Sequence, residues 1–331
     1  MDVSGGRGER QGVRAGADGG RLPQAGGEAL CADRTAHQVR ALLFGSPYLG
    51  WRGSRDPSRD RRSQEDQETQ DGLFWKGRVT VSVKACGLSD VGQSRSHNED
   101  CFAIDAEHGL FLVADGMGGH GHGEVASQLA IEAIRSAMLE NEGRPGGANA
   151  SAEGIQPHAA RLAAAFRAAH NTVVHAMRED STLLGMGTTA VGCAIHNDIA
   201  AFAHVGDSRA YRLRDDELEL VTEDHTWVNE QVMAGYLSAD QARSHPLKSV
   251  VTRAIGGDRE IAVDVREIEI RNGDLYLLCS DGLNTMLSDQ DIHDHLAADG
   301  SLEELCHKLV DAANERGGLD NITVLVLAIG S

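Results

Sequence analysis

From Arg78 onward, short apolar or alternating runs follow one another in hairpin-like groups and do not take turns with helices. The runs are 79–83, 101–104, 110–114, 189–195, 199–205, 210–214, 217–221, 263–270, 275–279 and 322–329. Alternation, as in Val79-Thr80-Val81-Ser82-Val83, marks a strand with one buried face, and wholly apolar runs such as Leu110-Phe111-Leu112-Val113-Ala114 mark strands buried on both. Helical patterns are confined to 125–139, 158–179, 289–297 and 302–316, two early and two late, the second being rich in Ala, a strong helix former. This order favours an α+β fold of antiparallel sheets covered by helices over a doubly wound parallel sheet, which needs a helix between successive strands.

Residues 1–77 carry no such periodicity. Gly, Arg, Asp, Gln and Ser dominate, and a segment of this kind cannot bury enough apolar surface to offset its ordering entropy. A disordered tail over 1–77 and one folded domain over 78–331 are expected. Within the tail, Ala41-Leu42-Leu43-Phe44 is a docking motif or a chance apolar run. Charge divides at the same boundary. Of 31 Lys+Arg and 50 Asp+Glu, the tail holds 12 and 11, a balance of +1, so the domain carries −20 and the whole chain −19. An acidic domain lacks the basic footprint that nucleic acid requires. No run approaches the ~20 apolar residues of a membrane span, and no apolar segment follows the first charged residues as a secretory signal would. The six cysteines are scattered without a C-x-x-C pair, which reads as reduced thiols in a cytoplasmic protein.

Excess carboxylate is either solvated surface or a cation site, and position decides. Asp115-Gly116 follows the run 110–114 and Asp281-Gly282 follows 275–279. Asp320 heads the last run, and Asp207 lies between two strands in Val205-Gly206-Asp207-Ser208-Arg209. One aspartate at a strand end is an ordinary turn residue. Four together suggest a multi-cation site, because hard divalent cations take carboxylate and carbonyl oxygens on compact turns. Gly116, Gly118 and Gly121 also satisfy the G-x-G-x-x-G spacing of dinucleotide binding. Asp115 would then face a pyrophosphate, and Glu140 and Glu142 follow a helix where that fingerprint needs a strand ending in an acid, so this reading is set aside.

The ordered motifs carry a resemblance. They are Arg95-Ser96-His97-Asn98-Glu99-Asp100, Asp115-Gly116-Met117-Gly118-Gly119-His120, Gly187-Thr188-Thr189, Val205-Gly206-Asp207-Ser208-Arg209-Ala210-Tyr211 and Val221-Thr222-Glu223-Asp224-His225. After these come His245-Pro246, Thr252-Arg253-Ala254-Ile255-Gly256, Ser280-Asp281-Gly282-Leu283 and Asp320-Asn321-Ile322-Thr323. Over about residues 80–329 the sequence resembles the metal-dependent protein phosphatases, the type 2C serine/threonine phosphatases, in their bacterial form. The resemblance implies a four-layer αββα sandwich of two antiparallel sheets flanked by helices, with cations at one edge.

It also implies roles. Asp115 would bridge two Mn2+ or Mg2+ ions, Gly116 would offer its carbonyl to one, and Asp281 and Asp320 would hold the other. Asp207 with Asp281 resembles a third, weaker cation site. Glu99 and Asp100 would orient the waters around the ions, and the planar fork of Arg95 would grip the phosphoryl oxygens. The shared cations would acidify a water that attacks phosphorus in line. Thr188, Thr189, Ser208 and Arg209 would brace the strands that carry these groups. Where some members place a histidine after the first Asp-Gly, this sequence has Met117, which cannot donate a proton; a water or His120 would protonate the leaving group. Segment 226–251 corresponds to a mobile flap, in which Trp227, Met233, Tyr236 and Leu237 pack against either a phosphopeptide or the core. Phosphorylated proteins and a cognate serine/threonine kinase are the expected partners of a monomer. An inactive relative kept as a binding module is the competing reading, and the presence of Arg95, Asp115, Asp281 and Asp320 speaks against it.

Overall fold

The computed structural model describes residues 30–33, 82–118, 122–140, 154–257 and 260–330. Its strands are β1 (Leu30–Asp33), β2 (Ser82–Asp90), β3 (Asp100–Asp105), β4 (Leu110–Met117), β5 (Gly187–Thr188), β6 (Ala190–His196), β7 (Ile199–Val205), β8 (Arg209–Arg214), β9 (Glu217–Leu220), β10 (Asp264–Glu269), β11 (Leu275–Cys279) and β12 (Ile322–Gly330). The helices are α1 (Gly123–Glu140), α2 (Pro157–Glu179), α3 (Trp227–Met233), α4 (Ala239–Arg243), α5 (Asp281–Asn284), α6 (Asp289–Leu296) and α7 (Leu302–Glu315). One sheet runs β1-β2-β12-β11-β8-β9. The other runs β10-β7-β6-β4-β3, with β5 paired to β4. The pairings within both sheets are antiparallel.

The period of two along a strand builds the layers. In β12, Leu325 and Leu327 face the space between the sheets while Ile322, Val324 and Val326 face outward into a second apolar layer. In β4, Phe111 and Val113 face inward while Leu110, Leu112 and Ala114 face a third. Ile134 of α1 with Leu162, Phe166 and Val173 of α2 closes the layer over β4. Ile292 and Leu296 of α6 with Leu309 and Val310 of α7 closes the layer over β12. Each fully buried Leu, Ile, Val or Phe contributes about 1.5–3 kcal/mol, so three continuous apolar layers hold the stack. The result is the αββα sandwich expected from the resemblance.

Pro157 occupies the first turn of α2, where its missing N–H costs nothing. Capping boxes start α6 at Ser288 with Asp291 and α7 at Ser301 with Glu304. Some segments differ from expectation. The described part of the run expected over 79–83 lies in β2, which extends to Asp90 through Gly87; the Phe102 ring lies so close to Gly87 that any Cβ there would collide with it. Segment 226–251 contains α3 and α4, neither of them anticipated.

Within the expected tail, Leu30–Asp33 pairs with β2 as β1, which corrects the expectation of disorder for those four residues. The pairing supplies β2 with a neighbour on what would otherwise be an open edge. The rest of 1–77, the residues 78–81 and most of the loop before α2 lie outside the described residues. Cys86 of β2 is buried and disulfide-bonded, and the residue opposite it in the register is Cys31, so the expectation of reduced thiols does not hold for Cys86. Cys101, Cys193, Cys279 and Cys306 are free. Among the described residues no helix is long and apolar enough to cross a membrane.

Candidate metal centre

Antiparallel pairing sets the end of one strand beside the start of the next, and it gathers the aspartates at one end of the sandwich. Asp115, late in β4, is the register partner of Asp100 at the start of β3. In the other sheet Cys279 pairs with Val324, and Ser280 N donates to Thr323 O at 3.0 Å, so Asp281 at the start of α5 approaches the head of β12. Asp281 lies within hydrogen-bonding reach of Asp115 and feels the charge of Asp320. Asp207 lies in the turn from β7 to β8, next to Gly206, which has φ +106 and where a Cβ would run into Thr189.

Asp100 stitches the two sheets together. Its Oδ2 accepts from Ser280 Oγ and from Thr323 Oγ1, both at 2.7 Å. Thr323 spends its proton there, so Ser89 Oγ, 2.7 Å away, donates to Thr323, and Asn98 Nδ2 donates to Ser89 at 2.8 Å. Asp100 Oδ1 is buried without a hydrogen-bond donor among the described residues. The braces expected of the threonines are in place. Thr188 Oγ1 and Thr189 N donate to Asp115 O at 2.7 and 2.9 Å. Thr189 Oγ1 and Ser208 Oγ lie 2.6 Å apart.

Arg95 stands on the loop between β2 and β3, half exposed, and its Nη2 donates to Asp320 Oδ2 at 2.7 Å. That bond, reinforced by the charges of Asp320, Glu99 and Asp115, raises the guanidinium further above its usual range against the pull of desolvation. Glu99 enters through its backbone: Glu99 O accepts from Gly116 N at 3.2 Å and from Ser127 Oγ at 2.6 Å. Met117 ends β4 opposite Gly187. His120 lies outside the described residues.

The electrostatics are one-sided. Burial, and then the charges of Asp100, Asp281, Asp207 and Asp320, push Asp115 well above the ordinary carboxylate range. Burial likewise raises Asp100 to about 7 and Asp207 to about 8, with the charge of Asp281 adding to both. Asp281 rises to about 6, through burial and then the charge of Asp320. A set of buried oxygen acceptors that repel one another, Asp100 Oδ1 among them without a donor, fits hard divalent cations, which would supply the missing positive charge.

Asn321 carries weight that the sequence reading did not assign. Its Oδ1 accepts from Glu99 N at 2.8 Å, and its Nδ2 donates to Val91 O at 3.0 Å and His97 O at 2.9 Å. One buried amide thus pins both ends of the loop that bears Arg95. Asn321→Ala leaves those groups unpaired and is expected to destabilise the fold by about 2–3 kcal/mol. Urea unfolding checks this, and a loss below about 0.5 kcal/mol contradicts it. Ser280 and Thr323 were also unassigned. The signal was present for Thr323, the single polar interruption in the apolar run 322–329.

The Protein phosphatase 2C family matches residues 91–320. The chain is 39% identical over 249 residues to the serine/threonine protein phosphatase PstP of Mycobacterium tuberculosis, covering 75% of this chain and 45% of that one. The chain thus spans about half the length of that relative. It is 36% identical over 245 residues to the protein phosphatase PhpP of Streptococcus pneumoniae, covering 73% of this chain and 96% of that one. A crystal structure of the catalytic domain of PstP in complex with two manganese ions superposes with a TM-score of 0.65 at 35% identity, covering 76% of this chain and all of that one. Matched by that family over residues 91–320, more than half its length, and sharing its fold with the PstP catalytic domain, the chain belongs to the protein phosphatase 2C family.

Proposed function

We propose that the chain is a cation-dependent protein phosphatase that hydrolyses phosphoserine and phosphothreonine esters and opposes serine/threonine kinases. The observation that carries this is the convergence of Asp100, Asp115, Asp207, Asp281 and Asp320, from both sheets, on one seam beside Arg95. The names of PstP and PhpP support the activity, and the two manganese ions of the PstP structure support a two-cation site.

In this reading Asp115, Asp281 and Asp320 hold two Mn2+ or Mg2+ ions together with the carbonyl of Gly116, and Asp207 with Asp281 takes a third. When bound, the cations supply a water acidified toward neutral pH and screen the phosphoryl dianion. Asp100 has its Oδ2 saturated by Ser280 and Thr323, which leaves Oδ1 to accept a proton or a hydrogen bond from the attacking water. Glu99 fixes the Gly116 peptide through its carbonyl. Arg95 stays charged on Asp320 and keeps further N–H donors for the oxygens of the substrate phosphate. Met117 carries no proton to give, so water protonates the leaving alkoxide. His120→Ala is accordingly expected to lower kcat less than tenfold; a loss matching that of Asp115→Asn contradicts it.

All five aspartates come from one copy, so a monomer suffices. We place the protein in the cytoplasm; its free thiols fit a reducing compartment and the disulfide at Cys86 does not. Phosphate release from synthetic phosphopeptides with Mn2+ present tests the substrate class. Release from phosphoserine and phosphothreonine peptides is expected, and release from phosphotyrosine peptides alone contradicts the reading.

A further inference from the structure

The motif Val205-Gly206-Asp207-Ser208-Arg209 and the segment Glu223-Asp224-His225 are interlocked. Arg209 Nε and Nη2 donate to Asp224 Oδ1 and Oδ2 at 2.8 and 2.7 Å. His204 Nε2 lies 2.8 Å from Glu223 O. Gly206 and His225 are joined twice: His225 N donates to Gly206 O at 3.0 Å, and Gly206 N donates to His225 Nδ1 at 3.0 Å. The residue after Gly206 is Asp207.

A backbone N–H can only donate, so His225 Nδ1 is a bare acceptor and the ring proton sits on Nε2. Asp264 Oδ2 is 3.2 Å from that nitrogen. Arg253 Nη1 is 3.2 Å from the same nitrogen and 3.0 Å from Asp264 Oδ1; two donors do not bond, so Arg253 serves Asp264. Burial and the stacked ring of His204, 4.6 Å away, keep His225 neutral, as this arrangement needs. Ring nitrogens of His204 and His225 and an oxygen of Asp264 do come within 4.8 Å of one another. Stacked rings aim their lone pairs side by side and not at one point, His225 Nδ1 and His204 Nε2 are engaged, and the Arg253 charge sits in the group. The cluster is a clamp and not an ion site.

His225 is also where segment 226–251 leaves and rejoins the sandwich. Thr252 N donates to His225 O at 2.8 Å, Thr226 bridges to Val251, and Trp227 N donates to Val250 O at 2.9 Å.

We propose that His225 is a positioning residue that ties the base of segment 226–251 to the Gly206–Asp207 turn, so that the cation affinity of Asp207 depends on the His225 Nδ1 bond. This rests on the reading of Asp207 as a cation ligand. Asn places an amide oxygen where Nδ1 lies, two bonds from Cβ, whereas Gln places its amide where Nε2 lies. The test is a calorimetric titration of Mn2+ into the metal-free full chain and its H225A, H225Q, H225N and D207N variants, with deuterium exchange measured at the Gly206 amide. The weakest binding event is expected to weaken about 10- to 100-fold in D207N, H225A and H225Q, as when a supporting hydrogen bond is removed from a ligand. It should stay within about threefold of wild type in H225N, and the tighter events should not move. H225Q titrating like wild type while D207N loses the weak event overturns the proposal. Should H225A not fold, the Gln and Asn variants decide alone. Should D207N titrate like wild type, the reading of Asp207 fails, and with it the link to cation affinity. The tie itself is then read from exchange at Gly206, which must rise at least tenfold in H225Q and not in H225N; unchanged exchange overturns that as well.

Discussion

Asp115→Asn is expected to lower kcat by on the order of 10³-fold or more, which is about 4 kcal/mol of transition-state stabilisation, while the protein stays folded. Asn keeps the shape of Asp115 and removes one charge from the centre of the cluster. That charge is surrounded by those of Asp100, Asp281, Asp207 and Asp320. In the absence of divalent cations the variant should therefore melt at or above the temperature of the wild type, because the wild type must either hold a proton on Asp115 or bear the repulsion of its neighbours, and Asn needs neither. With Mn2+ the order should reverse, since the wild type gains more from the ions. Initial rates and thermal melts on the same preparations check both halves. A variant that retains more than a tenth of wild-type kcat, or that unfolds readily without cations, contradicts the account.

Stabilisation by Mn2+ is expected to grow as pH rises from about 5 to about 8. A carboxyl whose folded pKa lies above its unfolded value of about 3.9 favours the folded state only while protonated. Its contribution is complete below about pH 4 and is lost as pH rises through the folded values, about 6 for Asp281, about 7 for Asp100 and about 8 for Asp207. The metal-free protein loses this stability over that window. Cations compete with the same protons, so their effect is small near pH 5 and large near pH 8. Burial lowers His158, His204 and His225, which act in the opposite sense, but they are present with and without Mn2+ and cancel in the difference. At a hundred times its dissociation constant an ion stabilises by about 2.7 kcal/mol, or roughly 5–10 °C in Tm for a domain of this size. Differential scanning calorimetry with Mn2+ and with EDTA at each pH measures it. A shift that is flat, or that shrinks as pH rises, contradicts the prediction.

Much of this fold was legible because its layers are written in the period of two. The runs at 110–114, 275–279 and 322–329 are strands whose alternate residues feed different apolar layers, and Asp115, Asp281 and Asp320 lie at their ends as expected. The helices α3 and α4 were not legible from periodicity because they are too short to show an apolar stripe. The box of Ser238 with Gln241 at the start of α4 was the available signal. Asp100 illustrates the other limit. Its partners Ser280 and Thr323 are 180 and 223 residues away, and they meet it only because two separate sheets abut at one seam. The pairing of Leu30–Asp33 with β2 was hidden for a related reason, since a four-residue strand in a polar segment is supported by its neighbour and not by its own composition. Asn321, His225 and Arg209 hold the candidate site through backbone groups and a part-buried ion pair with Asp224, contacts that depend on long-range geometry.

The most direct test of the central claim is the rate of p-nitrophenyl phosphate hydrolysis by one preparation of the full chain with Mn2+, after EDTA, and after Mn2+ is restored. Activity with Mn2+, its loss with EDTA and its return on restoration is the predicted result. No activity in any of the three conditions, or activity that EDTA leaves unchanged, would contradict the assignment of the aspartate seam as a cation-dependent phosphatase centre.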